Sequence, residues 1–499
     1  MTSATSSSRA SPFRPFRHRA WATIWAGSFV SNTGTWVETV AIGVYVTQTT
    51  GQATWTGVVA ALTYVPTVVL GPIGGALADR FDRRRYLAAV VLFQVCLAGT
   101  LTALAVTGRL SVPAVATIVL LAGCAFAAYM PAAAAMTPDL VPQEDLLGAT
   151  SLSTAQFNLG RVVGPALAGL VITAGGLGWA FGLNTVSFGA VLVALALIRV
   201  PPIRQAEAGR PRLWVTVVDG ARAARGDVGI RTALLLLLAT TFLVSPFIGL
   251  VPAVAIKVFD ASASGTSTLV TAQGIGAVLS ALAAGPLAAR LGRRRLLVCA
   301  LLAVGPAAVL YGLAPTFPLA VVAIGLLGFV YLGVLSGTGT VCQVRAPREL
   351  RARIASLFML AVGGGHSLGL VIQGWLGDRL GLPLVTAAGG LALLALVVAT
   401  WALRPQWLRS MDDPAPAAGD PAAVAGGPAP AVAAPVDGQV ALGSAEVHAL
   451  QPADGQVALG SAEVHALQPV DGQRERQEGD HDGQQRRAER AEPGREVEA

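Results

Sequence analysis

The sequence predicts an all-α membrane protein whose twelve transmembrane helices form two pseudo-symmetric six-helix bundles, followed by a disordered C-terminal tail. Three observations support this fold class. Of the 499 residues, 54% are hydrophobic and 13% are charged, against about 25% charged in a soluble domain. Long apolar runs recur along the chain, and its two halves resemble each other. This composition excludes an ordinary soluble enzyme, and four cysteines are too few for a disulfide-stapled secreted domain.

The apolar runs predict the membrane-spanning helices. A helix needs about 20 mostly apolar residues to cross a bilayer. Twelve such runs lie near 21–48, 54–78, 86–107, 111–136, 148–175, 178–199, 230–257, 265–289, 296–314, 317–342, 354–377 and 381–403. The polar residues 1–20 contain no short apolar core with a cleavage site, so we expect a cytoplasmic tail and not a signal peptide.

Positive charges mark one set of helix ends. Lysine and arginine accumulate on the cytoplasmic side of membrane proteins. Of the 35 such residues, 25 lie before the first span, in alternate loops or just after the last span. The intervening loops hold only Arg109, Lys257 and Arg379. We therefore expect a multi-pass protein with both termini cytoplasmic, and we attribute the basic charge to topology instead of nucleic-acid binding.

Two segments recur, which predicts two related bundles. Residues 75–87 (GALADRFDRRRYL) match residues 285–297 (GPLAARLGRRRLL) at a shift of 210 positions. A second match runs at a shift of 205, and it pairs Pro142 with Pro347, Glu144 with Glu349, Gly160 with Gly365, Gly164 with Gly369 and Gly169 with Gly374. Arginine triplets and Pro–Glu pairs in register are more specific than the glycines. Such internal repeats are typical of membrane proteins built from duplicated bundles.

These features predict five regions. They are a cytoplasmic tail (1–20), an N-terminal six-helix lobe (21–199), a cytoplasmic linker (200–229), a C-terminal six-helix lobe (230–404) and a disordered cytoplasmic tail (405–499). The last region is Pro/Ala-rich and contains VDGQVALGSAEVHALQP followed by ADGQVALGSAEVHALQP, a 17-residue tandem repeat. Two copies are too few for a solenoid, and the composition is typical of disorder.

Two six-span halves with GALADRFDRRR between the second and third spans resemble the major facilitator superfamily. WAGSFVSNTGTWVETVA in span one, PDLVPQEDLLGATSLSTAQFNLGRVVGPALAGL into span five and FGLNTVSF in span six look like its enterobactin-exporter and macrolide-efflux branch. This chain departs from the family patterns in three places. Asp82 stands where the loop motif usually has glycine, Ala168 stands in a usual Gly-Gly pair, and span four lacks the arginine of many proton-coupled drug antiporters.

The resemblance implies roles for two motifs. In the loop motif, Asp79 would pair across the lobe interface and hold the cytoplasmic side closed, together with Gly75, Arg80, Arg83 and Arg84. The alternative is that the arginines only anchor the helices at the cytoplasmic surface. In span five, small residues at four-residue spacing allow close helix approach, and a proline allows a bend; this packing motif comprises Gly160, Gly164, Pro165 and Gly169. It could be a static contact or a flexing lobe interface.

Three residues form the candidate cargo or proton site. Ionisable side chains inside spans are costly and usually functional. Glu38 lies within span one and Arg161 within span five, so they either form a structural ion pair or face a central cavity. His366 is the repeat equivalent of Arg161, and it is either a packing residue or a proton carrier. Asn184 and Gln373 are among several further polar groups that could line the cavity.

These patterns lead to a functional expectation. We expect a secondary active transporter of the bacterial inner membrane, exporting an amphipathic small molecule such as a drug or siderophore. The coupling ion would be a proton, and the protein would act as a monomer in the bilayer. A metabolite importer of the same fold and a non-transporting receptor or scaffold are the alternatives. The sequence contains no GxxxxGK[ST] motif for ATP, and we predict no catalytic residue, cofactor or metal site.

Overall fold

The computed structural model describes residues 13–78, 81–198, 220–222, 224–347 and 350–412, with backbone alone for 71–78. Within these ranges every regular element is helical, which confirms the predicted all-α class. The helices are α1 (Arg19–Thr50), α2 (Ala53–Ala78), α3 (Arg83–Val106), α4 (Val112–Leu140), α5 (Gln143–Leu197), α6 (Val228–Leu243), α7 (Val251–Phe259), α8 (Ala263–Leu291), α9 (Arg293–Gly312), α10 (Phe317–Arg345), α11 (Arg351–Leu380), α12 (Leu382–Leu403) and α13 (Pro405–Arg409).

Glycine and proline interrupt two of the long helical stretches. Helix α5 has 55 residues and would be about 80 Å long if straight. At Gly176 its backbone turns to φ 76°, a left-handed conformation that favours glycine, and this point falls between predicted spans five and six. Between α6 and α7, Pro246 and Pro252 lack the N–H that a continuous helix requires. A short 3-10 turn, Ser245–Phe247, fills the break.

The number of membrane spans follows from helix length and composition. In the described part of the chain, ten helices are long and apolar enough to cross a bilayer. Helix α1 has 32 residues but is not among the ten, because polar residues such as Asn32, Thr35 and Glu38 lower its hydropathy. Counting α1 and dividing α5 at Gly176 would give twelve. The exact count of twelve therefore stays a prediction.

The helices pack as two bundles, which we call the amino-terminal bundle (α1–α5) and the carboxy-terminal bundle (α6–α12). In the first, α1 lies along α5, α2 packs on α4, and α3 packs on both α4 and α5. In the second, α8 and α9 pack on α10, α9 also packs on α12, and α6 packs on α11. The bundles meet mainly through α2 with α11 and α5 with α8.

The two bundle contacts follow the sequence repeat. At Gly169 of α5, an added Cβ atom would lie 3.3 Å from Cα of Ser264 on α8. At Gly374 of α11, an added Cβ atom would lie 3.2 Å from Cα of Thr54 on α2. Gly374 is Gly169 shifted by 205 positions, and Ser264 is Thr54 shifted by 210. The backbone approach is therefore the same at both contacts, as expected for duplicated bundles.

We name the two ends of the molecule by their charge. The arginine-rich end carries Arg83 at the start of α3 and Arg294 at the start of α9. The arginine-poor end carries Gly51 after α1 and Gly381 after α11. The first residues of the predicted tail, Pro405–Arg409, form α13 and belong to the folded part, whereas the tandem repeat lies outside the described residues.

Candidate functional site

A carboxylate joins the two bundles at the arginine-poor end. Asp378, in the last turn of α11, accepts hydrogen bonds from the backbone N–H groups of Ala53 and Thr54, each at 2.8 Å. It also accepts one from the hydroxyl of Thr54 at 2.6 Å, and Lys257 Nζ lies 2.5 Å from it. The first N–H groups of a helix have no partner within the helix and carry partial positive charge. Asp378 thus caps α2 from the opposite bundle.

The corresponding contact between α5 and α8 has no charged cap of this kind among the described residues. The repeat equivalent of Asp378 is Thr173, which donates its hydroxyl to the carbonyl of Gly169 at 2.6 Å within α5. One helical turn before Thr173, an added Cβ atom at Gly169 would lie 2.9 Å from Cβ of Ser267 on α8. Close packing of small residues therefore forms this contact.

His366 lies at the contact between α2 and α11. Its ring meets the ring of Tyr64 on α2 at 88°, with the ring centres 4.9 Å apart. Nδ1 of His366 lies 2.7 Å from Oγ of Ser245, in the break between α6 and α7, and the hydroxyl of Tyr331 on α10 donates to that Oγ at 2.9 Å. His366, Ser245 and Tyr331 are buried. Together with Tyr64 they line a small cavity, whose other lining residues are Ile248, Val362 and Gly363.

Arg161 occupies the equivalent place at the other contact. An added Cβ atom at Gly274 of α8 would lie 3.0 Å from the carbonyl oxygen of Arg161, and Gly274 is Tyr64 shifted by 210 positions. The Arg161 side chain is 1% exposed, and its guanidinium carbon lies 5.7 Å from the ring centre of Trp36 on α1. This is the geometry of a cation–π contact. Arg161 and His366 thus mark equivalent positions, one at each bundle contact.

Glu38 is held within the amino-terminal bundle. Asn184, in the second part of α5, donates its side-chain N–H to Oε2 of Glu38 at 2.8 Å. Ser187 in turn donates its hydroxyl to Oδ1 of Asn184 at 3.1 Å. The described partner of Glu38 is therefore Asn184, while the described contact of Arg161 is Trp36. The predicted ion pair between Glu38 and Arg161 stays a prediction.

The small residues of span five pack against two different helices, α1 and α8. Added Cβ atoms at Gly160 and Gly164 would meet α1, at the side chain of Asn32 and at the carbonyl oxygen of Thr33 respectively, the latter at 2.7 Å. Gly169 faces α8 of the opposite bundle. Pro165 is buried between these positions. The part of α5 at Gly160 and Gly164 therefore packs within its own bundle, and the following turn, at Gly169, contacts the opposite bundle.

The loop motif lies at the arginine-rich end. Gly75 lies in α2, and Asp79 and Arg80 lie outside the described residues. Arg83 donates to Oδ2 of Asp139 at 2.6 Å. Arg84 donates to the carbonyl of Ala196 at 2.9 Å. Both arginines are thus bound within the amino-terminal bundle. Asp82, the departure from the family pattern, caps α3 by accepting a hydrogen bond from the N–H of Arg85 at 2.9 Å.

An ion pair in the carboxy-terminal bundle was not predicted from the sequence. Arg345 donates through Nε and Nη2 to the two carboxylate oxygens of Asp227, each at 2.9 Å. Asp227 also caps α6 by accepting from the N–H of Ile230 at 2.8 Å. Partial burial raises the pKa of Asp227, but these hydrogen bonds outweigh it and hold the pKa below its ordinary value. This pair fixes the start of α6 to the end of α10.

Three of the newly found residues carried only weak sequence signals. Asp378 and Lys257 are two of the few charged residues at the arginine-poor end. The scarcity of charged residues there was the only sequence signal that could have drawn attention to this pair. Ser245 precedes Pro246 within a predicted span, which marks a helix break. Their partners lie more than 80 positions away along the chain, and no local pattern identifies them.

Two helical bundles that meet through two equivalent helix pairs, with buried ionisable groups at those pairs, define a membrane transporter of the alternating-access class. A family model described as transmembrane secretion effector, within the major facilitator superfamily, matches residues 10–437. This chain belongs to that family, and the predicted resemblance is confirmed.

Characterised relatives of similar sequence are efflux proteins. The chain is 25% identical to macrolide efflux protein A of Streptococcus pyogenes, with 72% of this chain and 90% of the relative covered. It is 28% identical to the multidrug efflux pump Tap of Mycolicibacterium fortuitum, covering 77% and 95%. It is 27% identical to the enterobactin exporter EntS of Escherichia coli, covering 76% and 91%. The chain is thus a membrane transporter and not an enzyme.

Solved structures share the fold. The nucleoside transporter NupG (D323A mutant) superposes with a TM-score of 0.64 at 13% identity, covering 77% of this chain and 100% of that chain. An inward-facing, unoccupied bacterial homologue of the human lysosomal transporter Spinster gives 0.60 at 16% identity, covering 81% and 100%. The D-xylose–proton symporter gives 0.60 at 14% identity, covering 78% and 98%. These similarities confirm the predicted major facilitator fold.

Proposed function

We propose that this protein exports an amphipathic small molecule, such as a drug or a siderophore, from the bacterial cytoplasm by exchange for protons. It would work as a monomer in the inner membrane, with both termini cytoplasmic. The relatives named as macrolide, multidrug and enterobactin exporters support the direction and the cargo class. The low charge and the long apolar helices support residence in the bilayer.

The position of the bundle contacts is the observation that carries the proposal. The described contacts between the bundles lie in the half of the molecule nearer the arginine-poor end. Examples are the approach of Gly374 to Thr54 and of Gly169 to Ser264. At the arginine-rich end, the described ion pairs of Arg83 with Asp139 and of Arg345 with Asp227 stay within one bundle. If arginines mark the cytoplasm, this arrangement admits cargo from the cytoplasmic side.

The loop motif would close the cytoplasmic side in the opposite state. We assign this role to Asp79, Gly75, Arg80, Arg83 and Arg84 by the family resemblance. The described bonds of Arg83 and Arg84 join them to Asp139 and Ala196 of their own bundle, and the role proposed for Asp79 and Arg80 lies outside the described residues. The predicted linker, 200–229, and the predicted end of the second lobe at 404 belong to the same proposal of two moving lobes.

Vesicle transport tests the proposal. Inside-out membrane vesicles from cells that express the protein would be energised to make the lumen acidic. Radiolabelled erythromycin, ethidium and iron-free enterobactin would be offered as probes. We expect accumulation of at least one probe in the lumen, and loss of accumulation when a protonophore collapses the gradient.

Two outcomes would contradict the proposal. Accumulation only in right-side-out vesicles would identify an importer, and no gradient-dependent movement in either orientation would favour a receptor or scaffold. Vesicles that contain the Gly164→Leu variant provide the matched control. A leucine there would collide with α1, and this variant should accumulate no probe above vesicles without the protein.

A further inference from the structure

The two arginine triplets of the repeated loop motif have equivalent partners at the arginine-rich end. In the first copy, Arg84 donates to the carbonyl of Ala196, in the last turn of α5, at 2.9 Å. In the second copy, Arg294 donates to the carboxylate of Asp412, shortly after the end of α12. The shift of 210 positions that relates the two arginines also places Ala196 within the segment 404–412. Each arginine therefore joins the start of one helix to the chain end of its own bundle.

The segment 404–412, which we call the clasp, packs on the carboxy-terminal bundle. Helix α12 ends at Leu403, and the clasp continues through α13, which contacts both α12 and α6. Its apolar side chains Leu408 and Met411 are 5% and 3% exposed and belong to the main hydrophobic cluster. Burial of apolar surface is the dominant favourable contribution to packing. The clasp is therefore part of the folded bundle.

Polar contacts join the clasp to the ends of further helices. Arg345, at the end of α10, donates through Nη1 to the carbonyl of Asp412 at 2.7 Å. The same arginine binds Asp227 at the start of α6 through its other nitrogen atoms. On α6, the guanidinium carbon of Arg231 lies 5.5 Å from the ring centre of Trp407, the geometry of a cation–π contact. With Arg294, these contacts connect α6, α9 and α10 through one segment.

The contacts of the clasp differ in strength. An exposed ion pair contributes little, because water and salt screen it. The side chains of Arg294 and Asp412 are 32% and 54% exposed. Leu408 and Met411, by contrast, are buried. We therefore expect the apolar contacts to hold the clasp on the bundle, and the ion pair to fix the position of Asp412 beside α9.

We infer that the clasp holds α6, α9 and α10 together at the arginine-rich end, so that the carboxy-terminal bundle moves as one body, and that the second arginine triplet serves this clasp. Alternating access is largely the movement of one bundle against the other. Helix α6 begins where the predicted linker, 200–229, ends, so its start is the point at which the chain between the bundles would pull. The clasp fixes that start through Asp227 and Arg231. This inference holds for any cargo and either direction of transport.

Hydrogen–deuterium exchange of the purified protein in lipid nanodiscs tests the inference. One variant ends after Asp412, and a second ends after Leu403 and so lacks the clasp. We expect the first to exchange like the full chain. In the second, the backbone amides in the second turns of α6 and α9 should exchange at least tenfold faster, because lost contacts make local opening easier. The second turn of α3, which Arg84 ties to Ala196, is the internal control and should not change.

Point variants keep the test decisive if the shorter chain does not fold. Leu408→Asp puts a charge into the buried apolar contact and should raise exchange at least tenfold in the second turns of α6 and α9. Asp412→Ala removes the partner of Arg294 and should raise exchange three- to fivefold at α9. Arg295→Gln changes the exposed neighbour in the same triplet. It is the matched control and should stay within twofold of the parent.

Three outcomes would overturn the inference. The first is unchanged exchange in Leu408→Asp. The second is an equal increase in both shortened chains, since residues beyond Asp412 would then hold the bundle. The third is faster exchange in Leu408→Asp that extends equally to α3, which would indicate general unfolding. Exchange is measured without any probe, so failure of the proposed function would be recognised separately.

Transport gives a further readout where a probe is moved. The chain that ends after Asp412 should transport the probe within twofold of the full chain, although it lacks the tandem repeat. Leu408→Asp should transport at least tenfold less. Undiminished transport by Leu408→Asp, with fast exchange at α6 and α9, would also overturn the inference, because transport would then not require the bundle to move as one body.

Discussion

The contacts α2–α11 and α5–α8 have equivalent backbones but different chemistry. In both, a glycine at equivalent repeat positions, Gly374 or Gly169, allows the facing helix to approach closely. The α2–α11 contact adds the carboxylate of Asp378 and the imidazole of His366. The α5–α8 contact has Thr173 at the position of Asp378, and its facing surface is formed by small residues. The two contacts thus share a backbone approach, and the described charged cap across the bundles lies at α2–α11.

The difference indicates a division of roles. The packing of Gly169 on Ser267 depends on shape, so α5–α8 should respond to added volume. A helix cap and an ion pair depend on charge and hydrogen bonding, so α2–α11 should also respond to loss of a carboxylate. Substitutions at equivalent positions separate the two effects.

The largest effect should come from added volume at either glycine. A leucine at Gly169 would drive its Cβ to 2.9 Å from Cβ of Ser267, and a leucine at Gly374 to 2.7 Å from the carbonyl of Ala53. Overpacking of this kind costs about 1–3 kcal/mol. We expect Gly169→Leu and Gly374→Leu each to reduce vesicle transport at least tenfold. The control is Ala168→Gly, and transport by this variant should stay within twofold of the parent.

Loss of the carboxylate should affect one contact and not the other. Asp378→Ala removes the cap of α2 and the partner of Lys257. Loss of a helix cap costs about 0.5–2 kcal/mol, so the population separated at the arginine-poor end should rise several-fold. Cysteine labelling on α2 would measure it. Thr173→Ala, the equivalent change at α5–α8, should leave labelling unchanged, and equal effects of both variants would refute the asymmetry.

An effect on stability, confined to the amino-terminal bundle, should follow from changes at Glu38. Glu38→Gln keeps an acceptor for the N–H of Asn184, so the thermal unfolding temperature in detergent should change little. Glu38→Leu leaves that buried N–H without its acceptor, at a cost of about 1–3 kcal/mol, and should lower the unfolding temperature by several degrees. If both variants unfolded alike, Asn184 would not be the partner that matters, and the predicted pair with Arg161 would gain support.

The smallest effect concerns Asp227. Its lowered pKa means that the ionised form is favoured in the folded state, so its contribution to stability is present above the ordinary carboxyl pKa of about 3.9. That contribution is lost as the pH falls through the lower, folded-state pKa. Asp227→Asn should therefore reduce the unfolding temperature slightly at pH 7, and the difference from the parent should shrink below pH 4. A difference that is constant from pH 3 to 7 would contradict the charge-based explanation.

The repeat made much of the fold predictable. The shifts of 205 and 210 relate Gly169 to Gly374 and Thr54 to Ser264, and the structure brings these residues to equivalent contacts. Duplicated bundles can be recognised because both copies keep the loop motif and the glycine spacing in the same order. The division into two bundles was therefore predictable from the repeat.

The chemistry of the site was less predictable. Asp378 binds the backbone of α2, 325 positions away from Ala53, and a backbone N–H carries no sequence signature. Glu38 and Arg161 were predicted either to pair with each other or to face a central cavity, and this stays a prediction. The sequence did not show that the neutral side chains of Asn184 and Trp36 lie beside them. His366 was recognised through the repeat, whereas its partners Ser245 and Tyr331 required the three-dimensional structure.

A reversible cross-link tests the central claim that the α2–α11 contact must open during transport. Thr54→Cys with Asp378→Cys places two thiols where the side chains now lie in hydrogen-bonding contact at 2.6 Å. In a background without the native cysteines, oxidation should form a disulfide between α2 and α11. Gradient-driven probe accumulation should then stop, and reduction with dithiothreitol should restore it. Undiminished transport by the fully cross-linked protein would contradict the account.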